Sequence, residues 1–194
     1  SANVNDLGGT INANVLPPVT NPTVPPAIVN LLPATGTGYT YTAPTPVQVP
    51  ISFTATSVTA AAGGGEISAL TAKFDSTVLT LAMSGIGSMN PDGTYSASGS
   101  VTPAITSAGP HTITVSATNG AGTTTATTSI NIFAPPNITS ANATNFYYGQ
   151  PGNFAVKASG YDFPTYAVTA GTLPAGVTLN ATTGALSGAP TSAV

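Results

Sequence analysis

At 194 residues the chain has room for one or two domains. Only seven residues are Lys, Arg, Asp or Glu, 4% of the chain, with a net charge of −3 and no Arg, where about 25% is ordinary. Two Lys cannot make the several phosphate contacts that nucleic-acid binding needs; the lack of Cys removes disulfides and thiolate metal sites; and no apolar run reaches the about 18 residues of a membrane span.

No signal-peptide pattern opens the chain. Residues 17–26, PPVTNPTVPP, are biased to polyproline II and predict a stiff linker. Apolar and hydroxyl residues then alternate in Ile51–Thr56, Ser76–Met83, Thr112–Ala117 and Ala126–Ile132. Turn signals fall between them at Ala61–Gly65, Asn90–Gly93, Ser107–Pro110 and Asn119–Gly122. Helical periodicity is nowhere sustained, and short strands at this spacing predict an all-β sandwich. Its expected core is Phe53, Leu70, Val78, Leu81, Tyr95, Val101, Ile113, Val115, Ile130 and Ile132, the apolar phase of each strand. Truncating a buried member, as in Val115→Ala, is expected to cost about 1–3 kcal/mol in a denaturant titration. Asn90–Gly93 is expected to be the tightest turn, and Ala60–Gly65 a looser one.

The run Leu173–Pro190, LPAGVTLNATTGALSGAP, places Val177 and Leu179 on one face, turns at Asn180–Gly184, and returns Leu186 to that face. It closely resembles the signature of the putative-Ig domains found in tandem in bacterial cell-surface proteins, with Val177 for the usual Leu and Ala189 for the usual Thr. In that family further strands follow the signature, so the resemblance implies a last domain that is unfinished at Val194. A weak internal repeat sets the other boundaries. Ser116–Pro136 and Ser1–Pro18 both run from a strand end through a Gly turn and a final strand to Pro-Pro. In Ig-like modules that order marks the closing hairpin before a linker. The implied architecture is all-β, tandem Ig-like sandwiches joined by Pro-rich linkers. Residues 1–16 are the closing strand of an Ig-like domain supplied to another body, and 17–26 are the linker. Residues 27–134 form a complete sandwich, and 135–194 an incomplete putative-Ig domain.

Candidate chemistry is sparse. Nucleophilic catalysis needs a base, and the sole His, His111, follows Gly109-Pro110 at a strand start, where it reads as structural or solvated. The carboxylates Asp6, Glu66, Asp75, Asp92 and Asp162 are isolated, so no acid–base pair is expected. Asn3, Asn5 and Asp6 offer one acid, too little for Ca²⁺, and Asn90 with Asp92 suits a turn. No cofactor or metal is expected, and the chain reads as a non-enzyme. The Thr arrays at Tyr39–Thr42 and Thr123–Thr128 lack the strict repetition of an ice-binding solenoid and read as the wet face of strands. Tyr147, Tyr148 and Tyr161 are the candidate ligand platform for a sugar. Sequons at Asn137, Asn142 and Asn180 are glycan sites only in a source that glycosylates them.

The expected function is a non-catalytic structural segment of an extracellular or cell-surface fibre, stalk or filament. The near-absence of Lys and Arg suits it, leaving trypsin-like proteases little to cut. The alternative is an adhesive or carbohydrate-binding module. A sandwich without its closing strand exposes an apolar groove and unpaired backbone. Thr10, Ile11, Asn12, Ala13, Asn14, Val15 and Leu16 are therefore expected to pair into the C-terminal domain of another copy. The rival partner is a covalently linked Ig-like neighbour in a longer polypeptide.

Overall fold

Where a strand has one wet face, the alternation in the sequence is realised residue by residue in the computed structural model, which describes residues 21–192. In β4 (Ile51–Ser57) Ile51, Phe53, Ala55 and Ser57 are buried, while Ser52, Thr54 and Thr56 face outward. The first sandwich takes in β1 (Ala27–Leu32), β2 (Thr37–Thr40), β3 (Val47–Gln48), β4, β5 (Ala69–Phe74), β6 (Thr77–Leu79) and β7 (Ala82–Ser84). It continues through β8 (Tyr95–Val101), β9 (Ala104–Ile105), β10 (Gly109–Asn119) and β11 (Gly122–Ile138).

One sheet runs β1-β4-β8-β7 and the other β11-β10-β5-β6, with β2 lying parallel to β11. β3 and β9 form a small separate pair. The first edge element is thus split: β1 pairs antiparallel with β4, then the chain crosses at Pro33–Gly36 and joins the opposite sheet as β2. Buried Thr128 holds the crossing, its hydroxyl donating to the Pro33 carbonyl (3.0 Å), and Gly36 N–H donates to Ser129 O (2.8 Å). Two antiparallel sheets with these neighbours have the strand order of an immunoglobulin sandwich.

The core comprises Val49, Ile51, Phe53, Ala55, Ile67, Leu70, Ala72, Phe74, Ala97, Ile113, Val115, Ala117, Ile130 and Ile132. Leu81, Tyr95 and Val101 pack against it half-buried. Val78 is not core; it is 67% exposed. The hairpin closes on the two residues Asp75 and Ser76, pairing Phe74 with Thr77 and Lys73 with Val78, so Leu79 takes the inward phase that the sequence pattern assigned to Val78. That hairpin and the one at Gly120-Ala121 are shorter than Asn90–Gly93, which is not the tightest turn. Residues 90–93 do form a turn, with Gly93 N–H donating to Asn90 O (2.9 Å), and Asp92 accepting from Thr94 N–H and Oγ. The looser turn is a short 3₁₀ segment, Ala60–Ala62, ended by left-handed Gly63.

The second sheet system is small. β12 (Gly152–Ala155), β15 (Ala185–Gly188) and β14 (Val177–Leu179) form a three-stranded sheet, and β13 (Ala158–Tyr161) pairs with the far end of β11. The signature hairpin is β14–β15, with Leu179 opposite Leu186. Asn180 Oδ1 accepts from Thr182 and Thr183 N–H, which fixes its turn.

Candidate functional site

Three places in the molecule bear on function: a polar clip, the entry clasp of the first sandwich, and a groove in the C-terminal part.

The clip joins His111 to Asp75 and Ser107. His111 Nδ1 lies 2.9 Å from Asp75 Oδ2, and Nε2 lies 3.1 Å from the Ser107 carbonyl and 3.4 Å from Ser107 Oγ. The order of residue types is that of a hydrolase triad, and 36 residues of separation between Asp75 and His111 kept it out of sight in the sequence. The geometry is not catalytic. Nε2 lies closer to the Ser107 carbonyl than to its hydroxyl, and the ring is buried, so the serine is not presented to a substrate as a nucleophile. His111 is 8% exposed and packs against Phe74 with ring centroids 4.9 Å apart and planes tilted by 36°, tying the β5–β6 turn to the start of β10. Asp75, in left-handed backbone, also accepts the Thr112 N–H (2.9 Å). Partial burial raises its pKa, but the Thr112 N–H and His111 outweigh this and hold it below the ordinary carboxylate value of 3.8. A lowered folded-state pKa stabilises the fold above the unfolded value and loses that contribution as pH falls through the folded one. Thermal melts from pH 5 to pH 2 should therefore show an acid-side loss that Asp75→Asn reduces. With the carboxylate about half exposed, the change is below about 1 kcal/mol.

The entry clasp fixes residues 22–24 to the hairpin end of the sandwich. Thr23 and Val24 N–H both donate to Gly63 O, at 2.8 and 2.9 Å. Buried Asn119 donates through Nδ2 to Val24 O (2.8 Å) and Ser57 Oγ (3.3 Å), and its Oδ1 accepts from Ala121 N–H (2.9 Å). Pro22 lies against Gly120, where an added Cβ would come within 3.0 Å of the proline ring. Asn119→Ala takes the side-chain donor from the Val24 carbonyl and the acceptor from the Ala121 N–H, while Ser57 Oγ keeps the Gly65 N–H. A loss of about 1–3 kcal/mol is expected in urea titration, with faster amide exchange at Thr23 and Val24.

The groove lies where the signature hairpin faces β11 and β13. Ile138, Val156, Tyr166, Leu173, Leu179 and Leu186 line an apolar trough of about 550 Å³. Among the described residues of 134–192, Val177 and Pro190 are the buried apolar side chains. Thr10–Leu16 lie outside the described residues. Of the candidate platform, Tyr147 and Tyr148 are each 70% exposed, whereas Tyr161 is half-buried with its ring stacked on Phe133. The three tyrosines are thus in two different settings. Asn137, Asn142 and Asn180 are exposed. Among the described residues no cluster of three or more His, Cys, Asp or Glu is placed to hold a metal, and no helix is long and apolar enough to cross a membrane.

Residues 134–194 match the family model He_PIG, described as Putative Ig domain. The C-terminal stretch is similar to that family. Among solved structures, the chain is similar to an I-band fragment of titin at 12% identity and TM-score 0.41, covering 87% of this chain and 56% of that one. It is also similar to immunoglobulin domains 1–4 of Sidekick-1 at 19% identity and TM-score 0.44, covering 89% and 43%. The chain therefore spans about half of the titin fragment's length. No curated protein matches. Ig-like modules of this kind occur in tandem in larger proteins and are typically structural or binding units.

Proposed function

We propose that this chain is a non-catalytic structural segment of an extracellular fibre, stalk or filament, in which Ig-like sandwiches are completed by strand addition. The observation that carries the reading is the contrast between the two cores. Fourteen buried apolar side chains close the first sandwich, while the Ig-like module at 134–192 presents its apolar residues along an open trough. Unpaired strand edges beside such a trough attract another strand.

Thr10–Leu16, TINANVL, has the pattern for that role. Paired as a strand, Ile11, Ala13 and Val15 would share one face and Asn12 and Asn14 the other, over about 20 Å. The same copy cannot supply the strand to its own groove. Val24 is bonded to Asn119 at the hairpin end of β11, and the groove begins at Pro136, about 45 Å further along that strand. The linker 17–26 reaches at most about 36 Å when fully extended, and its last residues are already held by the clasp. A donor from the next copy makes a heterologous, head-to-tail contact that does not close on itself, which is the geometry of a filament.

Sedimentation and negative-stain microscopy of the chain with and without residues 1–16 test the proposal. Concentration-dependent linear polymers are expected from the whole chain and monomers from the shortened one. Equal behaviour of the two would overturn strand addition.

A further inference from the structure

The second join holds no linker. β11 leaves the first sandwich and enters the C-terminal module as one strand, with Pro135 and Pro136 inside it. β2 pairs with Ile130–Phe133 of β11, and β13 pairs with the stretch that follows directly, from Ala134 to Ile138. The two modules thus share a backbone ladder with no residue of free chain between them.

Side chains lock the handover. Phe133 is the last residue of β11 paired with β2 and stands between the modules. On one side its ring covers Gly38, where an added Cβ would come within 2.8 Å of it; on the other it stacks on Tyr161 with centroids 6.0 Å apart and planes at 28°. Tyr161 pairs through its backbone with Ala134, and its hydroxyl reaches 3.5 Å from Asn131 Oδ1 in the first sandwich. Pro135 and Pro136 bulge opposite the single residue Gly160. Gly160 has φ +134°, and a Cβ there would lie 3.0 Å from Pro136 Cα, so the position accepts only glycine without a shift. The prolines add fixed φ and demand no ladder partner for a missing N–H.

We infer that Phe133, clamped between Gly38 and Tyr161, makes this join a rigid splice that sets one angle between successive sandwiches. Phe133, Tyr161, Gly38 and Gly160 are its positioning residues. The inference rests on the tandem reading of the chain and deepens it. It does not depend on strand addition between copies, because the splice lies within one chain.

The test uses spin labels on the full chain, which has no native Cys to interfere. Labels at Val78→Cys on β6 and Asn153→Cys on β12, both at exposed positions, report the distance between the modules by pulsed electron resonance. Labelled chains are diluted into unlabelled ones, so distances within one chain are read whether or not copies associate. One narrow distance peak is expected. Tyr161→Ala should replace it with a broad distribution, Tyr161→Phe should preserve it, and Gly38→Ala should shift its position by displacing Phe133. Tyr147→Ala, away from the join, should leave it unchanged. Amide protection at Val177 checks that the C-terminal module stays folded in each variant; if Tyr161→Ala fails that check, the Gly38→Ala shift decides. A broad distribution in the parent chain would overturn the splice. So would Tyr161→Ala with the module folded and the narrow peak intact, or Gly38→Ala with no shift.

Discussion

Phe53→Ala is expected to cost the first sandwich about 3–5 kcal/mol, the range for removing a buried aromatic ring from a core that cannot collapse around the gap. Phe53 is 2% exposed at the centre of β4 and lies opposite Gly99 of β8. Its ring occupies the space Gly99 leaves: a Cβ on Gly99 would sit 3.1 Å from the ring edge. Domains of this size hold about 5–15 kcal/mol in all, so the loss removes about a fifth or more of the total. The urea midpoint should fall sharply with the slope little changed, whereas Phe53→Leu should fall far less. A loss below about 1 kcal/mol would mean that the core is not organised around this ring.

The second large effect is expected at Gly188, in the signature hairpin. Gly188 is the residue of β15 that meets Gly152 on one side and Val177 on the other. Its φ is +139°, and an added Cβ would collide with the Gly176 carbonyl and lie 3.0 Å from Val177 Cα. Gly188→Ala combines backbone strain of about 1–3 kcal/mol with a clash against main chain that has no rotamer to relieve it. The module at 134–192 should lose amide protection at Leu179 and Leu186. The first sandwich, with its own core, should keep its protection at Val115 and Ile113. Equal loss in both halves would show that they fold as one unit.

These two sites also mark how far the sequence could be read. β4, β10 and the inner part of β11 are legible because one face is buried and the other wet, so a period of two survives in the residue types. The signature hairpin is legible through its turn chemistry, Pro174–Gly176 and Asn180–Gly184, each matched by a backbone hydrogen bond. Val78 is misread because a two-residue turn at Asp75 and Ser76 sets the register, and a run of Thr, Val, Leu and Thr offers two apolar phases. Ile67 escapes because it sits outside any strand, after the glycine run, yet is buried at 1%. The split of the first edge between β1 and β2 leaves no periodic trace. Nor does the passage of β11 through Pro135 and Pro136, since Pro-Pro ordinarily ends a strand. Only the pairing partner, Gly160, explains why the ladder continues. The groove follows from the family signature, whereas the clip of Asp75, His111 and Ser107 and the Asn119 clasp join segments far apart in sequence.

Disulfide trapping between copies tests most directly the claim that the groove takes a strand from another chain. One batch carries Val15→Cys and a second Leu186→Cys, on a background without Cys; they are mixed and oxidised gently. Covalent dimers are expected in the mixed sample, absent from either batch alone and from a mixture in which Val78→Cys replaces Leu186→Cys. A chain carrying both substitutions should link into ladders. No dimer in the mixture, or a doubly substituted chain that closes only on itself as a monomer, would contradict the account.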